Sequence, residues 1–332
     1  MDLMKYLQKR ARLVELQMSK LFPERIEPKI LTDACRHLFK AGGKRIRPVL
    51  TLASAEAVGG KAEDALEAAA ALEFLHTFTL IHDDIMDRDE FRRGVKTVHM
   101  IWGEPIAIVS GDALFAKVFE GITANVKRLG LSLRRATEVF ATVSRASFEI
   151  CQGQTLDMVF ANHKRVSEEE YMRMISLKTG ALMEASTRVG AILGGGKPRE
   201  VESLSRYGRL LGIAFQIRDD VLGVAGEEKK FGKPVGGDIR EGKRTLLVVR
   251  ALEVSPPRKR SRLLQILGKR DASGKDVKEA ISILRDSGAI DYAVEKSSEL
   301  IERAKSELRA LKDSEAKDFL LELADFTIAR EI

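Results

Sequence analysis

The sequence predicts an all-α protein, and three observations carry that prediction. Apolar residues recur with a period of about 3.6 nearly everywhere along the chain. Only eight prolines occur, Pro23, Pro28, Pro48, Pro105, Pro198, Pro234, Pro256 and Pro257, and they punctuate the periodic segments. Alternating β-branched runs closed by hairpin turns are missing, while the good helix formers Ala, Leu, Glu, Lys and Arg dominate.

In chain order the pattern places helices at roughly 2–21, 29–41, 47–58, 61–87, 105–125, 131–159, 168–193, 199–225, 243–253, 259–268, 275–313 and 315–330. The first, MDLMKYLQKRARLVELQ, alternates charged with apolar positions, and Pro23 and Pro28 follow it. Gly59-Gly60 stops the third helix, and Gly194-Gly195-Gly196 stops the seventh. Ser167 with Glu170 forms a capping box that starts the seventh. Most of these segments are apolar over much of their circumference, which places them inside a bundle.

A chain of 332 residues allows about two domains or one large one. No internal repeat and no composition shift divides it, so a single domain over 1–332 is expected, with SPPRKR at 255–260 the best candidate linker. No apolar run approaches the ~20 residues of a membrane span, and no signal-peptide core follows the N-terminus. A soluble, cytoplasmic protein without integral membrane association is therefore expected. The two cysteines, Cys35 and Cys151, have no partner spacing, which excludes a disulfide scaffold and a Cys-based zinc site. A net charge of +7 admits nucleic acid, a membrane surface or a phosphorylated ligand. With 6% aromatics, base-stacking platforms and a nucleic-acid partner are not expected.

The chemistry gathers at two acid pairs. In EDALEAAAALEFLHTFTLIHDDIMD, a long stretch of low charge ends in Asp83, Asp84 and Asp87. Asp83 and Asp87 share a helical face about 6 Å apart along the axis, with Asp84 ~100° round. Carboxylates closing a buried helix need a cation, and a hard divalent metal suits oxygen ligands; a solvated helix end is the alternative. In RYGRLLGIAFQIRDDVLG, Asp219 and Asp220 close a second apolar helix, with Gln216 one turn earlier on their face. Gly208 and Gly212 in that helix would admit a close neighbour. Two such pairs point to metal sites facing each other across a cavity. Cations complete the pattern: GGKRIRP at 42–48, Arg92-Arg93, Lys178-Thr179, and the glycine-rich GKPVGGDIREGKR with Lys233, Lys243 and Arg244. Cations, metal-binding acids and a flexible loop describe a polyanion site, most simply for a di- or triphosphate. The GxxxxGK run from Gly237 to Lys243 is not a nucleotide loop, because Arg244 stands in the Ser/Thr slot and no strand precedes it.

These motifs resemble the trans-isoprenyl diphosphate synthases. GGKRIRP, LHTFTLIHDDIMDRDEFRRG, GDALFA, CQGQTLD, SLKTG, FQIRDDVLG and FGKPVGGDIREGKRT follow that family's order, from about residue 30 to the closing LADFTIARE. The chain resembles the archaeal-type short-chain members, of the kind that make geranylgeranyl diphosphate. The resemblance implies the isoprenoid synthase fold, about ten helices around a deep central cavity, and a homodimer. It implies Mg²⁺ held by Asp83 and Asp87 on one side and by Asp219 on the other. Arg92, Lys178, Lys233 and Lys243 would contact the allylic prenyl diphosphate, and Lys44, Arg47, His76 and Arg93 would bind isopentenyl diphosphate. Thr179, Gln216 and the Lys178 backbone would supply dipoles near a carbocation. The sequence departs from the family at Gly223, where a third aspartate is common, so metal binding there should lean on Asp219.

Product length depends on residues just before Asp83. Helical geometry puts Thr79 about 40° and Phe78 about 140° from the Asp83 direction. The family associates an aromatic five positions before the first aspartate with a stop near C20, and Phe78 is that residue. Farnesyl or longer products remain open, as do two other classes, a metal-dependent phosphohydrolase, because His82-Asp83 imitates an HD pair, and a non-catalytic partner subunit. Gln154 and Asp157 either orient Lys178 or metal-bound water, or form a buried hydrogen-bonded pair.

Overall fold

The computed structural model describes residues 2–163, 165–225 and 236–329, and among them the architecture is all-α. Helices α1 (Leu3–Leu21), α2 (Lys29–Lys40) and α3 (Ile46–Ala57) lead into α4 (Leu66–Asp87). A short α5 (Val98–Trp102) precedes the long α6 (Glu104–Leu129) and α7 (Leu133–Ala161). Next come α8 (Glu168–Ile175), α9 (Ala181–Leu193) and α10 (Pro198–Ala225). The chain continues with α11 (Gly237–Glu241), α12 (Leu246–Val254), α13 (Pro257–Ile266), α14 (Gly274–Asp286), α15 (Ala289–Glu307) and α16 (Glu315–Ala329). The chain groups into two compact units. The first comprises Met1–Ser147, Leu182–Gly208 and Glu307–Leu323; the second comprises Phe148–Ala181, Arg209–Ser306 and Ala324–Ile332.

Several expected boundaries move, each for a local reason. The 61–87 segment opens with a 3₁₀ turn, Ala62–Ala65, in which the Asp64 carboxylate accepts from the Lys61 N–H at 2.8 Å. The helix expected to end at 125 runs to Leu129, where Gly130 adopts φ 59° and its N–H returns to Lys127 and Val126. The expected helix at 275–313 breaks at Gly288, which takes φ 69° between α14 and α15. SPPRKR is not a linker: Pro256 caps α13, Pro257 opens it, and the segment lies inside the second unit. A hairpin that the periodicity hid pairs Phe91–Arg92 with Val95–Lys96. Its two-residue turn, Arg93-Gly94, has φ 53° and 77°, the doubly positive geometry of a type I′ turn. The capping box of Ser167 and Glu170 forms as expected.

In the first unit α4 packs against α6 through small residues. Ala68, Ala69, Ala70 and Ala71 are fully buried, and a Cβ added to Gly121 of α6 would lie 2.9 Å from the Ala71 methyl. Buried Asn125 on α6 fixes the register of the pair. Its Oδ1 accepts from the Ala68 N–H at 3.0 Å and its Nδ2 donates to the Asp64 carbonyl at 2.7 Å. One side chain thus satisfies two backbone groups where α4 starts, as helix starts require. The far end of α4 carries the aspartates.

The expected helix at 168–193 is not continuous α-helix. Ser176–Gly180 forms a π-helical turn between α8 and α9. Such wide turns often mark functional sites. Gly153 of α7 lies against it, where an added Cβ would meet the Lys178 nitrogen at 2.3 Å.

Candidate active site

One cluster of candidate residues lies on the last turns of α4 in the first unit. Asp84 is buried and forms an ion pair with Arg92 Nε. Arg92 also donates to Asp89 at 3.1 Å. Burial works against the Arg92 charge, but Asp84, Asp89 and Asp83 outweigh it and raise the pKa. Asp83 and Asp87 are half-buried on the neighbouring face. A helix C-terminus carries partial negative charge, so carboxylates there are unfavourable without a cation. The arrangement therefore attracts more positive charge than Arg92 alone brings.

The basic loop before α3 is anchored to the same helix. Arg45 takes φ 51° and forms a buried ion pair with Glu73 at 2.9 Å. One turn along, Arg47 Nη1 lies 3.1 Å from His76 Nε2. Burial and then Arg47, Arg93, Arg92 and Arg45 hold the His76 pKa well below its usual value. The imidazole is therefore neutral at pH 7, and Nε2 accepts from Arg47. Arg93, at the hairpin turn, donates to the carbonyls of Leu38 and Gly42, tying the hairpin to the loop. Lys44 is exposed at the loop's tip. Guanidinium groups around a neutral histidine make an electropositive patch suited to an anion. Thr79 turns its hydroxyl back to the His76 carbonyl at 2.7 Å, while the Phe78 ring packs against His82 and Phe115 at 4.7 and 5.1 Å.

A second cluster is built within the second unit. Lys178 in the π-turn forms an ion pair with Asp157 of α7 at 2.6 Å, so Asp157 does orient Lys178; Gln154 is buried one turn earlier. Thr179 donates to Gln216 at 2.7 Å, and Gln216 donates to Asp220 at 2.9 Å. Tyr171 donates to the other Asp220 oxygen at 2.7 Å. Burial and Asp238 push the Asp220 pKa up to about 8, against the lowering effect of its two donors. Asp219 is exposed. Lys243 sits 2.8 Å from Glu241 and 3.9 Å from Asp238. Lys233 lies outside the described residues.

Gly223 carries no side chain, and the Asp238 carboxylate lies beside it. An added Cβ there would lie 3.1 Å from the Asp238 carboxylate, and the Gly236 N–H donates to the Gly223 carbonyl at 3.0 Å. The start of α11 thus brings a carboxylate to the place where the helix has no side chain. Sequence reasoning missed Asp238, although GGDIREGKR had been singled out for its cations. It also missed Glu73 and Tyr171, whose partners are 28 and 49 residues away.

Among the described residues, no group of three His, Cys, Asp or Glu side chains forms a protein-only metal cage. Magnesium does not require one, because it is commonly held by one or two carboxylates together with substrate phosphates and water. The half-buried oxygen pair Asp83 and Asp87 fits that mode of binding.

Residues 28–284 match the family model described as polyprenyl synthetase. The chain is 48% identical over 331 residues to a short chain isoprenyl diphosphate synthase of Methanothermobacter thermautotrophicus, covering 100% of this chain and 99% of that one. It is 44% identical to a geranylfarnesyl diphosphate synthase of Aeropyrum pernix, covering 92% and 96%. The crystal structure of geranylgeranyl pyrophosphate synthetase from Pyrococcus horikoshii superposes with a TM-score of 0.92 at 45% identity, over 99% of this chain and 98% of that one.

Proposed function

Because the chain belongs to the polyprenyl synthetase family, we propose that it condenses isopentenyl diphosphate with dimethylallyl, geranyl and farnesyl diphosphates to give geranylgeranyl diphosphate, releasing diphosphate at each addition. The observation that carries the reading is the end of α4. Asp83 and Asp87 lie there on one face, while Arg47 and neutral His76 are joined a few turns earlier. A cation site and an anion site on one helix suit a metal-bound diphosphate.

Asp83 and Asp87 would hold Mg²⁺, with Asp219 holding a further ion. When bound, the metal neutralises charge on the departing diphosphate. Arg92, Lys178, Lys233 and Lys243 bind the allylic diphosphate, and preorganised charges of this kind act on the leaving group without reorganising. Asp157 keeps Lys178 in place for this. Lys44, Arg47, Arg93 and His76 hold isopentenyl diphosphate. The C1–O bond of the allylic substrate breaks, and its electron pair leaves with diphosphate. The Thr179 hydroxyl, the Gln216 amide and the Lys178 carbonyl present dipoles to the allylic cation. The isopentenyl double bond attacks that cation, and a proton passes to the released diphosphate. No catalytic histidine is required, in keeping with His76 as a neutral binding group.

Relatives of similar identity carry different product names, so product length is argued from Phe78, whose bulk stands five residues before Asp83. The working form in this reading is a cytoplasmic homodimer of one catalytic domain spanning 1–332. The single family match through both units supports one domain. Exposed Met100, Ile101, Ile108, Val109 and Phe119 on α5 and α6 offer an apolar face for a second copy. Unpaired Cys35 and Cys151 suit a reducing compartment. No described helix is long and apolar enough to cross a membrane.

The test is incubation of the purified chain with labelled isopentenyl diphosphate and each allylic starter in turn. The expected result is a C20 diphosphate, with one diphosphate released per addition. Phosphate released from nucleotides, with no label in prenyl chains, would mean a hydrolase instead.

A further inference from the structure

The aromatic residue that limits the product does not stand alone. We propose that His82 is a positioning residue for product length, holding the Phe78 ring in place together with Phe115. The inference deepens the reading in which Phe78 stops chain growth, and it rests on that reading.

His82 lies one turn after Phe78, on the same side of α4. The two rings meet edge to face, with centroids 4.7 Å apart and planes at 65°. His82 is in turn fixed by α6, where its Nε2 lies 3.1 Å from the Ile108 carbonyl and 4.0 Å from the Asp112 carboxylate. The facing position on α6 is Gly111. An added Cβ there would stand 2.3 Å from His82 Nε2 and 2.5 Å from its Cδ2. Gly111 is therefore the socket for the imidazole, and a methyl group would push the ring out. One turn further along α6, Phe115 packs on Phe78 at 5.1 Å and is itself backed by Phe119 at 5.3 Å. Gly111 and Phe115 open and nearly close the GDALFA motif, and this arrangement gives that motif a role.

The consequence is mechanical. A half-buried phenylalanine with free space beside it changes rotamer quickly, and a prenyl tail pressing on it would turn it aside. With His82 and Phe115 both packed on it, the ring is held against such a turn. The stop is then a property of the α4–α6 pair, and it can be loosened without changing Phe78.

The experiment compares the full chain with Phe78→Ser, His82→Ala, Gly111→Ala, Phe115→Ala and Phe115→Tyr. Each is supplied with labelled isopentenyl diphosphate and farnesyl diphosphate, and product lengths are separated by chromatography. Lengths are read as a ratio within one sample, so a variant that folds in lower yield still reports. The proposal expects the share of products beyond C20 to rise several-fold in His82→Ala, Gly111→Ala and Phe115→Ala, and the C20 stop to persist in Phe115→Tyr. If Phe78→Ser lengthens the products while His82→Ala and Phe115→Ala keep the wild-type distribution, the brace is wrong. If Phe78→Ser itself still stops at C20, the assignment of Phe78 as the stop is what fails.

Discussion

Individual side chains in this protein serve by being held in a fixed charge state. His76 is the clearest case, because burial and the surrounding arginines keep it neutral. The unfolded chain regains the ordinary histidine value of 6.5 and so binds a proton that the folded chain refuses. Stability from this group is present above that pH and declines as pH falls below it. We expect the thermal midpoint of the wild type to drop through this window and that of His76→Gln to drop less; equal slopes would show that His76 titrates freely. In the proposed reading, Asp83 and Asp87 act by charge at the end of α4. Asp83→Asn or Asp87→Asn should lower turnover by about 10²–10³-fold, and titration with Mn²⁺ in the presence of an allylic diphosphate should show weakened binding. Unchanged Mn²⁺ affinity in both variants would remove these residues from the metal site.

At the scale of elements, the site depends on contacts that allow no side chain or only one. Asn125 ties the start of α4 to α6 through two buried hydrogen bonds. Asn125→Ala should destabilise the fold by about 1–2 kcal/mol, seen as a lower urea midpoint with an unchanged slope. Gly153 lets α7 touch the π-turn, and a methyl group there would collide with backbone rather than with a flexible side chain. Gly153→Ala should therefore cost about 1–3 kcal/mol and should also reduce kcat, because Lys178 is displaced from Asp157. A variant with normal stability and normal kcat would show that the close approach is not required. Arg45 and Glu73 are a further case. Removing Arg45 would leave the Glu73 carboxylate buried without its partner, at a cost of about 3–5 kcal/mol, whereas Arg45 is also paired with Glu15 at 3.2 Å.

For the molecule as a whole, thiol reactivity reports global opening. Cys35 is buried, its Sγ lies 3.4 Å from the Ser110 carbonyl, and burial pushes its pKa up to about 12. Cys151 is exposed. At pH 8 an alkylating reagent should modify Cys151 of the native protein while leaving Cys35 intact until denaturant unfolds the chain. Mass mapping of the two modified peptides decides the matter, and early labelling of Cys35 would reveal local opening of α2.

The sequence by itself determined the helical class, the two carboxylate ends and the family. These are local properties, carried by a repeat of about 3.6 residues and by short motifs whose residues are close in the chain. Ser167–Glu170, Gly59-Gly60 and the Asp83/Asp87 spacing were legible for that reason. Positive-φ breaks at Gly130 and Gly288, and the Arg93-Gly94 turn, were less legible because one glycine weighs little against a periodic pattern. Only the tertiary structure decided which charges are already engaged. It gave Arg45 to Glu73, Arg92 to Asp84, Lys178 to Asp157 and Tyr171 to Asp220, and it brought Asp238 to the bare position at Gly223. The physical reason is that burial makes an unpaired charge costly, so partners are chosen by packing across dozens of residues and leave no local pattern in the chain.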